Sequence, residues 1–134
     1  AMRPLSGSLV LLVEDNAINQ QVARETLESL GAAVDVAING REAVEMYRAA
    51  PYLYDIIIMD LQMPEMNGFE AARAIRAMGQ PNSLTIPIIA MTANAFKEDI
   101  EKCLEAGMND HLAKPIDERL VIQKIKNAVA PRPL

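Results

Sequence analysis

Three carboxylates, one hydroxyl and one ammonium stand at the ends of separate apolar runs, a set whose chemistry suits a divalent metal plus a phosphoryl group. Glu14 and Asp15 close Leu9-Val10-Leu11-Leu12-Val13, and Asp60 closes Ile56-Ile57-Ile58-Met59. Thr92 follows Ile88-Ile89-Ala90-Met91, and Lys114, with Pro115 behind it, ends His111-Leu112-Ala113. A carboxylate is a competent nucleophile toward phosphorus once metal and cations neutralise the charge that accumulates. Three unscreened carboxylates raise one another's pKa, so the grouping calls for a cation. Mg²⁺ suits it, because it prefers oxygen ligands and is held by one or two carboxylates plus phosphate. Each residue alone has an ordinary explanation: Asp caps turns and helices, Thr finishes strands, and Lys is solvated. Their joint placement at strand ends is what points to chemistry.

Positioning such a set requires parallel strands with one common carboxyl edge. The run 9–13 lacks polar alternation, as a strand buried on both faces does. Residues 16–30 carry Ile18, Val22, Ala23, Leu27 and Leu30 at helical spacing, and Gly31 supplies the stop. Residues 33–37 alternate like an edge strand, Asn39-Gly40 marks a turn, and a second helix covers about 41–50. Strand 56–59 is followed by a breaker-rich loop, 62–68, and a helix over about 69–78. A surface turn at 79–83 precedes a strand over 86–91. A helix over about 96–106, a short strand at 111–113 and a helix over 118–129 with Asp117 as N-cap complete the chain. Five β–α units in a row predict an α/β fold with helices on both faces of a parallel sheet. Among doubly wound sheets, five strands fit the flavodoxin-like order 2-1-3-4-5, whose switch point lies between strands 1 and 3. Glu14, Asp15 and Asp60 end those two strands.

At 134 residues the length fits one domain, expected over 9–129, with 1–8 a linker or expression remnant and 130–134 a tail. A net charge of −5 without a Lys/Arg stripe argues against direct nucleic-acid binding. No apolar run approaches membrane-spanning length, so no direct membrane contact is expected. The single Cys103 excludes an internal disulfide and fits a reducing cytosol, with an inert, partly buried thiol expected.

From Leu9 to Val129 the sequence resembles the receiver domain of two-component response regulators. The residues that carry the likeness are Glu14-Asp15, Asp60 within Met59-Asp60-Leu61-Gln62-Met63-Pro64-Glu65-Met66-Asn67-Gly68, Thr92-Ala93 and Lys114-Pro115. Glu14-Asp15-Asn16 with Asn19, and the stretch Gly107 to Ile116, look like receivers attached to hybrid sensor histidine kinases. The resemblance implies that Asp60 accepts a phosphoryl group from a histidine kinase's phosphohistidine. The group would then pass to a histidine phosphotransfer domain or act through a conformational change. It implies Mg²⁺ on Asp15, Asp60 and the backbone carbonyl of Gln62, with Glu14 acting through bound water. Lys114 would face the phosphoryl oxygens across a cis bond to Pro115, and Thr92 would be the switch hydroxyl. His111 holds the place of an aromatic residue coupled to that hydroxyl. As the chain's one histidine it invites a metal or phosphoryl role, which its lack of a His or Cys partner argues against. Ile18, Val22 and Ile116 are expected to form an apolar patch that docks the partner's helical bundle. The setting implied is cytosolic, within a membrane-bound sensor kinase or as a stand-alone regulator.

Two other classes fit the same fold. A flavodoxin-like cofactor binder lacks its Gly-rich phosphate loop here, and Glu14-Asp15-Asn16 would repel an anion. An Asp-nucleophile phosphohydrolase wants an acidic residue two places after Asp60, where Gln62 stands.

Overall fold

Alternate residues of the central strands feed two separate cores, which is why those strands carry no polar residue before their carboxyl ends. The computed structural model describes residues 3–93 and 97–129. Its elements are β1 (Leu9–Val13), α1 (Ala17–Ser29), β2 (Ala33–Ala37), α2 (Gly40–Ala49), β3 (Ile56–Asp60), α3 (Gly68–Arg76), β4 (Ile88–Thr92), α4 (Lys97–Glu105), β5 (Asp110–Ala113) and α5 (Glu118–Val129). The sheet is parallel in the order β2-β1-β3-β4-β5, as the β–α alternation predicts. Leu11, Val13, Ile57, Met59, Ile88 and Ala90 pack against α2 and α3, with Cys103 of α4 in the same cluster. Val10, Leu12, Ile56, Ile58, Ile89 and Met91 face α1 and α5 through Leu27, Val121 and Ile125. Full burial of each Val, Leu, Ile or Met side chain among them contributes roughly 1.5–3 kcal/mol.

The helices begin where the sequence places caps. Asn16, Asn39 and Asn67 each accept a backbone N–H from three residues on, at 3.0, 2.8 and 2.9 Å. Asp117 caps α5, accepting from the amides of Arg119 and Leu120 at 2.8 and 3.3 Å. Strand β4 starts at Ile88, two residues later than the apolar run suggests. Pro87 has no N–H to give a ladder, and the amide of Ile86 is used by the carbonyl of Asn82 at 2.9 Å. The expected beginning of the fourth helix at Phe96, the start of the leader at 1–2 and the tail over 130–134 lie outside the described residues. Leu5 is buried in the α1–α5 core, and its amide donates to the carbonyl of Leu30 at 2.8 Å.

Arg76 organises the opposite edge of the sheet. Its guanidinium donates to the carbonyls of Gly107, Ser83 and Ile86 at 2.8, 3.0 and 2.6 Å, and to Asn109 Oδ1 at 3.0 Å. Burial among these neutral oxygens holds its pKa below the ordinary arginine value.

Cys103 is 2 % exposed, and burial, reinforced by the nearby charge of Asp99, pushes its thiol up to about 11. At pH 8 only about one thiol in a thousand is then ionised. The folded protein should resist an alkylating reagent that labels it at once in denaturant; equal labelling rates would contradict this burial. Because the folded form keeps its proton longer than the unfolded form, this group withdraws stability as pH rises from about 9 to about 11.

Candidate functional site

The switch between β1 and β3 brings Glu14, Asp15 and Asp60 together, with one carboxylate oxygen from each lying within 4.8 Å of the others. Glu14 is held from several sides. Its amide donates to Ala37 at 3.0 Å, its carbonyl accepts from Gln20 Nε2 at 2.7 Å, and Oε2 accepts from the Asn16 amide at 3.3 Å. Asp60 is 5 % exposed, and its Oδ1 accepts from the amide of Gln62 at 3.2 Å. The ordinary turn-forming role of an Asp at a strand end is therefore present here, taken by one oxygen.

The other oxygen faces a cation. Lys114 Nζ lies 2.9 Å from Asp60 Oδ2 and 2.7 Å from Glu14 Oε1. Burial works against its ammonium, but hydrogen bonds and charge from Glu14 and Asp60 outweigh that and raise its pKa above the ordinary value. The Lys114–Pro115 bond is cis, as the resemblance implied. Asp15 is the open member of the set, and its pKa is raised. Partial withdrawal from water is the first cause, followed by a hydrogen bond and repulsion from Glu14. Three carboxylates against one ammonium leave an excess negative charge that an oxygen-seeking divalent cation fits.

A cavity of about 290 Å³ unites these groups, lined among others by Glu14, Asp15, Asp60, Gln62, Thr92 and Lys114. All the proposed metal, acceptor and switch positions except His111 thus converge. Thr92 ends β4 next to Lys114, whose amide donates to its carbonyl at 2.9 Å. Asp99 of α4 also lines the cavity. It went unnoticed in the sequence because it sits in a charged helix start, remote from any strand end.

His111 stays apart from the acidic cluster, opposite Ala90 in the β4–β5 register. Its Nδ1 lies 3.4 Å from Asp110 Oδ1, which also takes Lys124 Nζ at 3.0 Å. Of the three apolar patch residues, Ile18 is 73 % and Val22 42 % exposed, whereas Ile116 is only 7 % exposed. That corrects the expectation for Ile116, whose side chain joins the α1–α5 core. It still lines the floor of a second cavity, about 340 Å³, shared with Val22, Met91, Ala93 and Pro115 beside the acidic one.

The sequence profile of the response regulator receiver domain matches residues 10–126. The chain belongs to that family. Two histidine kinases are among its similar relatives. Probable histidine kinase 2 of rice (Oryza sativa) is 41 % identical over 135 residues, covering 92 % of this chain and 13 % of that protein. Hybrid signal transduction histidine kinase B of Dictyostelium discoideum is 46 % identical over 127 residues, covering 87 % and 6 %. This receiver therefore spans only a small part of each kinase it matches.

Solved structures agree with the geometry. The receiver of sensor histidine kinase PA1611 from Pseudomonas aeruginosa, with magnesium coordinated in its active-site cleft, superposes with a TM-score of 0.82 at 42 % identity. The match covers 94 % of this chain and 100 % of that one. The Saccharomyces cerevisiae receiver of Ssk1, solved with the phosphotransfer protein Ypd1, gives 0.80 at 34 % identity and covers 91 % and 88 %. Among the described residues, no helix of this receiver is long and apolar enough to cross a membrane.

Proposed function

We propose that Asp60 takes a phosphoryl group from a phosphohistidine and hands it on to a histidine phosphotransfer partner, as the receiver of a hybrid histidine kinase on the cytosolic side of a membrane. The observation that carries this is the double contact of Lys114 with Asp60 and Glu14, set against three converging carboxylates. Asp60 supplies the electron pair that forms the new oxygen–phosphorus bond as the nitrogen–phosphorus bond of the donor breaks. The donor imidazole leaves with that bond's electrons and takes up a proton. Lys114 meets the charge on the phosphoryl oxygens, which adds to its existing pull toward Asp60. Thr92, at the wall of the same cavity, donates its hydroxyl to a phosphoryl oxygen once the group is in place. Asp15, Asp60 and the Gln62 carbonyl would hold Mg²⁺ directly and Glu14 through water, and the bound ion would supply charge neutralisation for the transfer. The other two classes find no support in this cavity: it is lined by acid where a phosphate cradle needs N–H groups, and Gln62 occupies the acid–base place.

The test is mass spectrometry after incubation with a small phosphodonor and Mg²⁺. One phosphoryl group should be added, and a chelator should prevent it; addition that ignores the chelator would defeat the proposal. Because Asp15, partly withdrawn from water and then crowded by Glu14, binds a proton more readily than a free carboxylate, Mg²⁺ affinity should fall as the solution is acidified.

Ile18 and Val22 are exposed on α1, which begins directly after Glu14-Asp15-Asn16, and Val22 lines a cavity shared with Glu14 and Lys114; a helical donor domain would meet this surface. Ile18→Glu should slow transfer from a histidine phosphotransfer domain by about tenfold, a single hot-spot contact's worth. Labelling by the small phosphodonor should be untouched. Equal losses in both assays would discredit the patch.

A further inference from the structure

Gly40 opens α2 against the β3–α3 loop, and its φ is not positive. What the position demands is room. A Cβ there would lie 2.5 Å from the carbonyl oxygen of Met66, 3.1 Å from Ala71 Cβ and 3.2 Å from the carbonyl oxygen of Asn67. Two backbones touch directly at this point, an approach only glycine permits.

The same loop is pressed from its other side. A Cβ on Gly68 would overlap the carbonyl oxygen of Asp60 and lie 3.0 Å from Leu61 Cα, and the Gly68 amide donates to Leu61 at 3.1 Å. Residues 62–67 are thus clamped between the first turn of α2 and the backbone of the phosphoacceptor. Inside the clamp, the Met66 amide donates to the Pro64 carbonyl at 2.8 Å around Glu65, whose φ of 68° is left-handed for a side-chain-bearing residue. Such a conformation persists only where the surroundings impose it. A displacement of Met66 would thus be passed along this short loop toward Gln62 and Asp60.

We propose that Gly40 is a positioning residue for Mg²⁺: by letting α2 seat on the Met66 carbonyl, it fixes the loop that presents the Gln62 carbonyl beside Asp60. The inference rests on the metal-assisted reading of the site given above. It assigns to α2, which contributes no side chain to the acidic cavity, a share in metal affinity.

The test is calorimetric titration of Mg²⁺ into the full chain, comparing wild type with Gly40→Ala. A rival role, simple packing of α2 on α3, would lower the melting temperature and leave metal binding alone. Ile125→Val, in the core on the opposite face of the sheet, controls for that loss of stability. The expected result is an apparent Kd about tenfold weaker in Gly40→Ala, the scale on which supports behind metal ligands act, and unchanged in Ile125→Val. An unchanged Kd in Gly40→Ala overturns the proposal, and so does an equal weakening in Ile125→Val. Wild type that takes up no Mg²⁺ would bring down the functional reading itself, so the two failures are separable.

A second measurement does not depend on the variant folding. Coupling between two places is reciprocal, so Mg²⁺ must then tighten the first turn of α2. The reporters are the Glu42 and Ala43 amides, which donate to Asn39 at 2.8 and 3.1 Å. Their hydrogen exchange in wild type should slow when Mg²⁺ is added. Slowing confined to residues 60–68 would overturn the assignment.

Discussion

Asp60→Asn should abolish phosphoryl uptake, with labelling by a small phosphodonor falling by at least about a thousandfold, the loss expected when a nucleophile is deleted. The substitution is nearly isosteric, and the side-chain oxygen that accepts from the Gln62 amide at 3.2 Å can be kept by the amide carbonyl. The fold should therefore survive, which an unchanged circular dichroism spectrum would verify. Neither neighbour can take over. Glu14 is 1 % exposed, and its two carboxylate oxygens are held by Lys114 and the Asn16 amide. Asp15 is accessible, but partial withdrawal from water, and then Glu14, raise its pKa and disfavour its carboxylate, and among the described residues the ion pairs of Lys114 go to Glu14 and Asp60. A phosphoryl group mapped to Asp15 or Glu14 in the variant would move the acceptor and with it the whole assignment.

The site was legible in the sequence for a topological reason. In a parallel sheet every strand delivers its last residue to the same edge, so five residues at the ends of apolar runs meet without any knowledge of side-chain packing. Asp60, Asp15, Glu14, Thr92 and Lys114 all line one cavity for that reason. The order β2-β1-β3-β4-β5 followed from the same alternation. What escaped depends on contacts with backbone, which leave no compositional trace. Arg76 reads as one more cation on a helix, yet its acceptors are carbonyls of three loop residues and one Asn side chain. Gly40 reads as half of an Asn-Gly turn, yet its role is to admit the Met66 carbonyl. Ile116 misled because it directly follows the site in sequence. The chain turns after Pro115 and sends the next side chain into the α1–α5 core, 7 % exposed.

Lys114→Ala should move metal binding and phosphoryl transfer in opposite directions. In the wild type one ammonium serves two carboxylates, at 2.7 and 2.9 Å, and occupies the region of charge that a divalent cation would otherwise command. Removing it leaves Glu14 buried without its counter-charge, and breaking a buried pair costs about 3 kcal/mol at the low end of the usual range. The raised pKa of Lys114 means that its stabilising contribution is complete at neutral pH. It is lost only as pH climbs through the folded-state value above the ordinary 10.5, so the variant should be destabilised across the neutral range. Mg²⁺ should then repair more of the variant than of the wild type. Its affinity should rise, and the melting temperature should gain more on its addition, because binding only the folded state stabilises by mass action. Transfer should still fall by roughly a hundredfold or more even at saturating Mg²⁺, the loss typical of removing one group that meets developing charge. Thermal denaturation with and without Mg²⁺, paired with labelling rates, separates the two effects. If affinity and rate fell together, Lys114 would be shaping the metal site; a rate left intact would remove it from the chemistry altogether.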